Sequence, residues 1–586
     1  MLLTRSAVLL VTLVLSSSLL STASTHDEGG DAHATRQYRF LLFASITGGS
    51  HYIALCKSGR VLVRQGHRVV SLVSSSNSNS SWQKDADLFS FVVFNSTYTK
   101  QHRNEIVDNI GRVIVRGHHN SFWGPYFHSA NLTGRLSFVD MWLQECDDLL
   151  GDAATMERLR GENFDMLVVD DVIPCGPLLA QALNIPFIHN SVYFANPSKH
   201  GCWAGLPIEP SYVPELALGL TNKMTFLQRV QNTLAHYIYG FIHFRLGLCK
   251  FDGYDKLKIK YNIKPEISTL ESYKQAVLYF LHGSFALEFP RPLQPNTIVV
   301  LHNAGLHSNE TLKETVSEFL DTAPAGAILF SMGTFITAME RHKAQVFADA
   351  FSRLPYRVLW QSGMELTGLQ LGNNTMVVKW LPMTQVMEHA NIRLYVGQGG
   401  SLTVHEALWA GLPIVGLPLV EDMMDNMVPV ETKGAGLSLD IGNITPDTLS
   451  QSIVRVMTEP RFRKNALRIS KIMRDLEPST SPVDTIVHWI LHVTRFGGAH
   501  LRPAVQDLSY IQRNLLDVYL FLAVIVASVC WINVSVCCFC FKRMRTIDRP
   551  KDWGYRAIQA FNYHRLLLPF PLSRTMSESK SSSSDG

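Results

Sequence analysis

Gly399, Gly400 and Ser401 have residue types and a setting that suit the binding of an anion. They follow the apolar run 394–396 and open a stretch with helical spacing, so they mark a turn from a strand to a helix. Free backbone N–H groups at the start of a helix, together with the helix dipole, favour a diphosphate. Glycine has no Cβ, which lets the backbone approach such a ligand closely. One glycine pair alone more often marks an ordinary turn, so this prediction depends on the motifs around it.

The elements that position this turn are predicted by short apolar runs that alternate with helical stretches. In the N-terminal half, 38–45 and Arg68–Ser74 predict strands, and the spacing of Tyr52, Leu55 and Leu62 predicts a helix between them. A strand, a helix and a second strand joined by tight turns form a βαβ unit, which requires a parallel sheet. The pattern recurs along the chain, with apolar runs at 166–169, 187–188, 327–331, 358–360, 376–380, 394–396 and 414–417.

The segment 288–296 separates two series of such elements. Its three prolines within six residues cannot continue a helix or a central strand, so it predicts a linker. The predicted fold class is therefore α/β, with two Rossmann-like domains facing across a cleft and ligands at the carboxyl ends of the strands. The predicted boundaries are 25–287 for the first domain, 288–297 for the linker, 298–483 for the second domain and 484–517 for a C-terminal helical return and juxtamembrane segment.

Both ends of the chain carry apolar segments that predict membrane targeting. Residues 1–24 have a basic residue, an apolar run and small residues at cleavage spacing, which is typical of a signal peptide; a retained anchor is the alternative. Residues 518–541 contain no charge and are long enough to cross a bilayer; a buried core helix is the alternative. Lys542 and Arg543 follow, so the positive-inside rule places the tail 542–586 in the cytosol. The prediction is a single-pass type I membrane protein with a lumenal body.

The charge distribution argues against one class of partner. Lys and Arg number 53 and Asp and Glu 49, and a net charge of +4 gives no support to nucleic-acid binding. The tail 542–586 holds nine basic and four acidic residues, so the rest of the chain is nearly neutral, at −1. A basic tail suits anionic membrane lipid, and a neutral body suits an uncharged ligand. Five lumenal cysteines, an odd number, leave at least one unpaired: Cys56, Cys146, Cys175, Cys202 and Cys249. Six glycosylation sequons fit a lumenal location: Asn79, Asn95, Asn131, Asn309, Asn373 and Asn443.

The segment 380–426 resembles the donor-binding signature of the UDP-glycosyltransferases. The match covers a Trp-x-Pro opening, the Gly-Gly-Ser turn, a glutamate further on, a Gly-x-Pro turn, and an acidic residue followed by Asp-Asn. In addition, 164–186 is similar to the family's N-terminal aspartate segment and 288–296 to its linker. The signal peptide, the single C-terminal span and the basic flank match the animal membrane-bound branch, which is UDP-glucuronosyltransferase-like. The resemblance covers about residues 38–545.

The resemblance implies a GT-B fold and a UDP-sugar donor held by the second domain. Trp380 would stack on uracil, Glu406 would accept from both ribose hydroxyls, and Asp422 would bind sugar hydroxyls. For Asp422, a loop or N-cap carboxylate is the alternative interpretation. The full set of donor-binding residues implied is Ser331, Gly333, Thr334, Trp380, Gln398, Gly399, Gly400, Ser401, Glu406 and Asp422.

A catalytic pair is implied at the first domain. His51 follows a Gly-Gly-Ser turn after the first predicted strand, where the family has its catalytic histidine. It would act as general base on an acceptor hydroxyl, since the pKa of imidazole lies near working pH. Asp170 matches the family's partner aspartate and would hold the ring tautomer and stabilise the imidazolium. Its neighbour Asp171 is interpreted as solvated or structural.

Several positions depart from the family pattern. Met383, Gln398 and Leu402 stand where the family usually has glutamine, histidine and asparagine, and Met423 replaces a glutamine or histidine. Gln361 stands where arginine is frequent. A thioether bonds a sugar hydroxyl poorly, and a site built for hydrogen bonds loses affinity when a partner is missing. The pattern predicts an altered donor preference or weaker activity, with loss of activity as the alternative.

The function predicted is an enzyme that transfers a glucuronosyl or glucosyl group from a UDP-sugar, with inversion, to a hydroxyl of a small lipophilic acceptor. The alternative is a weakened or non-catalytic homologue that acts as a binding protein or partner subunit in a homo- or hetero-oligomer. The UDP-sugar is a co-substrate; no other cofactor is implied, and no metal, because no D-x-D motif follows a strand in the donor half. Two acceptor classes stay open, a substrate of detoxification and a sphingolipid or sterol. The sequence does not separate them, because the acceptor-facing segments, 75–160 and 190–265, carry no motif for either class. The expected location is the endoplasmic reticulum membrane, although the tail lacks a terminal dilysine signal.

Overall fold

A computed structural model describes residues 36–44, 49–77, 86–115, 129–194, 197–245, 251–301, 312–333, 339–364, 366–419, 421–477 and 481–545. The predicted signal peptide, Thr334, Cys249, two of the sequons (Asn79 and Asn309) and the tail from 546 lie outside these residues. The chain divides into two compact units, one ending at Gln506 and the other beginning at Asp507.

The first sheet has seven parallel strands in the order β3-β2-β1-β4-β5-β6-β7. Its strands at 166–170, 187–191 and 278–282 are buried on both faces, as expected of a parallel sheet covered by helices. The strands are β1 (Arg39–Phe43), β2 (Arg68–Ser74), β3 (Ser90–Phe94), β4 (Met166–Asp170), β5 (Phe187–Ser191), β6 (Leu278–His282) and β7 (Thr297–Val300). The helices of this half are α1 (Ser50–Arg64), α2 (Lys100–Val115), α3 (Ser129–Gly151), α4 (Ala153–Gly161), α5 (Cys175–Leu183), α6 (Pro197–Trp203), α7 (Phe226–Arg245), α8 (Phe251–Lys260) and α9 (Thr269–Tyr273).

The second sheet has six parallel strands in the order β10-β9-β8-β11-β12-β13. They are β8 (Ala327–Ser331), β9 (Arg357–Gln361), β10 (Thr375–Val378), β11 (Ile392–Gly397), β12 (Ile414–Gly416) and β13 (Gly436–Ser438). The helices are α10 (Glu314–Asp321), α11 (Arg341–Ser352), α12 (Met383–Glu388), α13 (Ser401–Trp409), α14 (Glu421–Thr432), α15 (Pro446–Thr458) and α16 (Pro460–Asp475). The predicted α/β fold with two Rossmann-like halves is therefore confirmed.

Each sheet has one point at which the strand order reverses, and ligands of such sheets bind there. In the first sheet this point lies between β1 and β4, and in the second between β8 and β11. Both predicted motifs fall at these points, because His51 and Asp170 belong to the first and the Gly-Gly-Ser turn to the second.

The chain returns to the first half after finishing the second. Helix α17 (Pro482–Phe496) buries Ile486 and Ile490 in the same apolar cluster as Phe40 and Leu42 of β1. Strand β7 pairs with β6 in the first sheet, so the predicted start of the second domain at 298 falls inside a strand of the first. The other predicted domain boundaries stay predictions.

The second unit contains the short helix α18 (Tyr510–Arg513) and the long helix α19 (Leu516–Arg545). Residues Leu516–Arg543 have a mean hydropathy of 2.4 in their most apolar window, none of which is buried. The predicted span 518–541 lies within this helix. By length and composition it fits a single-pass membrane anchor.

Candidate active site

His51 and Asp170 meet at the switch point of the first sheet. His51 is the second residue of α1, and Asp170 is the last residue of β4, the parallel neighbour of β1. The His51 Nδ1 lies 2.7 Å from the Asp170 Oδ2, and the backbone N–H of Val172 donates to the other carboxylate oxygen at 3.2 Å. Asp170 is 1% exposed and the His51 side chain 25% exposed, so the carboxylate is buried and the ring is partly exposed.

The charges around His51 favour its protonated form. Burial alone would lower the pKa of His51, but the charge and hydrogen bond of Asp170 and the charge of Asp171 outweigh burial and raise it above its usual value. The Lys199 ammonium opposes this shift. A ring with a raised pKa is a stronger base, which suits a group that must take a proton from a hydroxyl.

Asp171 is buried, so the solvated interpretation of this residue is wrong. Its Oδ2 accepts hydrogen bonds from Tyr193 Oη, Lys199 Nζ and His200 Nε2, each at 3.2 Å. Burial would raise the pKa of Asp171, but the charge of Lys199 and the contact with His200 hold it well below its usual range. The sequence held no signal for this cluster, because β5 and α6 bring these partners to Asp171 only in the folded chain.

The Gly-Gly-Ser turn lies at the switch point of the second sheet. Gly399 has a φ of +80°, and an added Cβ would lie 3.0 Å from the carbonyl oxygen of Met423, so the position requires glycine. Gly400 is the N-cap of α13 and Ser401 its first residue. Among the described residues, the buried Ser401 Oγ and Gln398 Oε1 have no hydrogen-bond partner. These unpaired atoms beside a helix N-terminus fit the predicted diphosphate.

Gln398 fills the space beside the turn that carries Ser331 and Gly333. A Cβ on Gly333, whose φ is +71°, would lie 2.2 Å from the Gln398 Nε2. The Ser331 hydroxyl donates to Gln361 Oε1 at 2.8 Å and accepts the Gly333 N–H at 3.2 Å. Two of the departures from the family pattern, Gln361 and Gln398, therefore meet the turn that carries Ser331 and Gly333.

Glu406 and Trp380 lie on the same side of the second half. Glu406 is buried on α13 and accepts a hydrogen bond from the Thr384 hydroxyl of α12 at 3.3 Å. Burial raises the pKa of Glu406, while the Lys57 ammonium and Thr384 oppose the rise. Trp380 is 44% exposed just before α12, which leaves ring surface for stacking. Asp422 is half-buried in the first turn of α14.

Contacts between the two halves bring the helix that carries His51 towards the helix that begins at the Gly-Gly-Ser turn. Leu402 of α13 packs with Ala54 of α1 and with Val192, and Lys57 of α1 attracts Glu406 of α13. Helix α1, which carries His51, therefore faces helix α13, which begins at the Gly-Gly-Ser turn. Leu402 stands where the family usually has asparagine, and its apolar side chain packs in this contact.

A second contact between the halves involves Asp425 of α14. Its Oδ2 accepts the N–H of Ala217 at 2.5 Å, and its Oδ1 accepts that of Gly219 at 3.4 Å. Ala217 and Gly219 both have left-handed backbone angles, with φ of +63° and +61°. Asp425 belongs to the Asp-Asn of the signature, and the sequence did not indicate that it joins the halves.

The remaining departures are explained by packing. Met383 lies partly buried against the apolar cluster that contains Leu381 and Val386. Met423 lies partly buried against the cluster that contains Leu417 and Leu419. Both thioethers are used in packing, where a flexible apolar side chain fills irregular space.

Two parallel α/β halves of this kind, with a ligand-binding switch point in each, have the GT-B architecture. Solved structures of this class resemble the chain at low sequence identity. The UDP-glucosyltransferase from Polygonum tinctorium has a TM-score of 0.53 at 15% identity over 78% of this chain and 99% of its own. The glycosyltransferase SnogD from Streptomyces nogalater has a TM-score of 0.52 at 16% identity over 78% of this chain and 100% of its own.

The family model of the UDP-glucoronosyl and UDP-glucosyl transferases matches residues 41–550. Human UDP-glucuronosyltransferase 2B17 is 30% identical over 86% of this chain and 93% of its own length. Rat UDP-glucuronosyltransferase 1A5 is 31% identical over 84% of this chain and 90% of its own length. The chain belongs to this family, and the protein is a UDP-glycosyltransferase.

Proposed function

We propose that the protein transfers a glucuronosyl or glucosyl group from a UDP-sugar to a hydroxyl of a small lipophilic acceptor, with inversion at C1 of the sugar. The observation that supports this most is the 2.7 Å contact between His51 and Asp170 on a helix that faces the donor turn. A homologue that had lost its chemistry would have no need to keep this pair.

His51 is proposed as the general base. Because Asp170 accepts a hydrogen bond from the Nδ1–H of His51, the other ring nitrogen, Nε2, carries the lone pair. Nε2 takes the proton of the acceptor hydroxyl as its oxygen forms a bond to C1. The bond from C1 to the diphosphate oxygen breaks on the opposite face, and UDP leaves with that electron pair. Asp170 stabilises the imidazolium that forms, and it remains a carboxylate throughout.

The leaving diphosphate needs stabilisation as its charge develops. We assign this role to the backbone N–H groups and dipole of α13 at Gly399, Gly400 and Ser401, with Gln398 beside them. Ser331, Gly333 and Thr334 form the second phosphate contact in this proposal. Trp380 stacks on uracil, Glu406 accepts the ribose hydroxyls and Asp422 binds sugar hydroxyls. The UDP-sugar is a co-substrate, and the proposed chemistry uses no metal.

The location proposed is the endoplasmic reticulum membrane, with a cleaved signal peptide and a glycosylated lumenal body. The apolar helix α19 supports a single-pass anchor, and the basic residues after it support a cytosolic tail. Anchoring at a bilayer brings the enzyme to the phase in which lipophilic acceptors concentrate. Association with a second copy or with a related chain is part of the same proposal and rests on the family alone.

A donor panel on membranes that contain the full chain tests this function. UDP-glucuronic acid, UDP-glucose, UDP-galactose, UDP-xylose and UDP-N-acetylglucosamine are each supplied with a phenolic acceptor, and the release of UDP and the glycoside product are both measured. We expect turnover with at least one donor and none in His51→Ala. Turnover with no donor would favour the non-catalytic alternative. Equal turnover by His51→Ala would show that the base is another group.

A further inference from the structure

The membrane-anchor helix α19 carries a group of free thiols near its C-terminal end. Among the described residues, four exposed free cysteines belong to this helix. Cys530 lies near its middle, and the other three lie close together just before the basic residues that follow the apolar stretch: Cys537, Cys538 and Cys540. These three are called the terminal thiols below. The described disulfide and the candidate active site both lie elsewhere in the chain, so neither accounts for this group.

The geometry of a helix places the terminal thiols at one edge of the bilayer. Helix α19 has 30 residues and is therefore about 45 Å long, while the hydrocarbon core of a bilayer is about 30 Å thick. Both ends of the helix must then leave the hydrocarbon. Along the axis, Cys537 lies about 8 Å before the charged Lys542 and Cys540 about 3 Å before it. Because Lys542 stays among the polar head groups, the terminal thiols lie at the boundary between hydrocarbon and head groups.

Cys530 differs from the terminal thiols only in its depth. It lies on the same helix and is exposed like them, but it precedes Lys542 by about 18 Å along the axis. That distance places it near the middle of the hydrocarbon, beyond the reach of a water-soluble reagent. The helix therefore contains its own internal control for any reaction that takes place at the cytosolic face.

The terminal thiols also point in different directions around the helix. Successive residues of an α-helix are rotated by about 100°, so Cys537, Cys538 and Cys540 spread over most of its circumference. A partner helix packed along one face could not cover all three. The cytosol keeps thiols reduced, so a disulfide is not the expected fate of a cysteine on that side of the membrane. At least one reduced thiol therefore remains accessible at the cytosolic edge.

We propose that Cys537, Cys538 and Cys540 form an S-acylation site that receives long-chain fatty acids from the cytosolic side. Cysteines next to a membrane span are typical sites of reversible S-palmitoylation. The cysteine sulfur attacks the carbonyl carbon of a long-chain acyl-coenzyme A, and the bond from that carbon to the coenzyme A sulfur breaks. The proton of the cysteine ends on the coenzyme A thiol that leaves. One thioester is exchanged for another, so no oxidant or reductant is used.

The inference rests on one part of the proposed function, the single span with a cytosolic tail, and not on the glycosyl transfer. Helix α19 by itself already attaches the protein to the membrane in an effectively irreversible way. The acyl chains therefore do not decide whether the protein is bound to the membrane. They hold the cytosolic end of α19 at a fixed depth.

Metabolic labelling of cells that produce the full chain tests the site. The cells are fed an alkyne analogue of palmitate, the protein is purified, and the label is measured before and after neutral hydroxylamine, which cleaves thioesters. We expect a hydroxylamine-sensitive label on the wild-type protein. In the triple variant Cys537→Ser, Cys538→Ser and Cys540→Ser the label should fall to the level left after hydroxylamine. A wild-type protein without a sensitive label, or a triple variant labelled like the wild type, would overturn the proposal.

Cys530→Ser is the matched control, because it removes a thiol of the same helix at mid-membrane depth. It should keep the wild-type label, and a loss as large as in the triple variant would contradict the assignment by depth. If the triple variant does not accumulate, the wild-type protein alone decides. Its thioester-linked cysteines are exchanged for a polyethylene-glycol maleimide, and mass steps should appear on a gel, three at most from the terminal thiols. The absence of any step would overturn the site.

Two further readouts separate this inference from the proposed function. Protease added to sealed microsomes should remove an epitope placed after Gly586 if the tail is cytosolic. A protected epitope would overturn both the topology and the acylation site, whereas a cleaved epitope without a label would overturn the site alone. Turnover of UDP-sugars is measured on the same membranes and should be equal in the wild type and the triple variant. A sensitive label on a protein without turnover would leave the site standing while the enzyme proposal falls.

Discussion

The replacement of Asp170 by asparagine would disable the base through its tautomer. The Val172 N–H donates to one oxygen of Asp170 and His51 contacts the other. In Asp170→Asn the amide oxygen keeps the backbone N–H, so the NH₂ group faces the His51 Nδ1. Nδ1 must then accept, which places the proton on Nε2, the atom proposed to take a proton from the acceptor. The variant therefore holds the ring in the wrong form without moving it.

The size of the loss follows from the contact that is removed. A hydrogen bond to a charged group contributes about 1.5–3 kcal/mol. Two charges at about 4 Å attract by about 4 kcal/mol at an effective dielectric constant of about 20. The imidazolium in the transition state should therefore lose about 2–4 kcal/mol of stabilisation, and each 1.36 kcal/mol is about tenfold in rate. We expect kcat to fall by about 30- to 1,000-fold with little change in KM for the donor.

The assay is the initial rate of product formation at saturating donor, with membranes normalised for the amount of protein. Asp87→Asn, an exposed aspartate with the same change of charge, is the matched control and should keep wild-type kcat. The thermal unfolding midpoint of both variants checks the fold. If Asp170→Asn kept kcat within about threefold of wild type while His51→Ala was inactive, Asp170 would not set the tautomer of His51. That result would refute the reasoning.

Three further outcomes are expected. Only neutral His51 accepts a proton, so kcat/KM should rise with pH and level off above the pKa of His51, which is raised from its usual value of 6.5. Asp171→Asn removes one of the charges that raise this pKa, so the rise in kcat/KM should shift to lower pH. A pH profile identical to that of the wild type would contradict the assigned charge effect. Gly333→Ala should destabilise the fold by about 1–2 kcal/mol, since φ is +71° and the new Cβ would meet Gln398. The midpoint of urea unfolding measures this loss of stability, and the added substitution Gln398→Ala should restore only part of it. Leu402→Asn should lower the stability of the fold by about 1–3 kcal/mol because it places an amide in the apolar contact with Ala54. Leu402→Met should lower the stability by less, and equal unfolding midpoints for the two variants would argue against a packing role.

The sequence alone was sufficient for the fold class. Apolar runs predicted β2 as Arg68–Ser74 and β8 as residues 327–331, which are the bounds observed. Buried parallel strands are continuous apolar runs, and this local signal survives without knowledge of the partners. His51 and Asp170 were implied by the resemblance to the UDP-glycosyltransferases, and both follow apolar runs that predict strands. Their 2.7 Å contact follows from the pairing of β1 with β4.

Tertiary structure alone decided what surrounds those residues. Asp171 was interpreted as solvated or structural, and the structure shows it buried and hydrogen-bonded to Tyr193, Lys199 and His200. The role of Leu402 was visible only once α1 and α13 were seen to pack together. No periodicity encodes contacts between elements distant in the chain.

The buried Glu145 of α3 shows the same limit. Its Oε1 accepts hydrogen bonds from the hydroxyls of Ser74, Ser76 and Ser96, which lie 49–71 residues away in the chain. Strand and helix patterns report which face of an element is buried, so the sequence by itself determined the α/β scaffold. The hydrogen-bond partners of a buried polar atom depend on the position of every neighbour at once, so only the folded structure shows them.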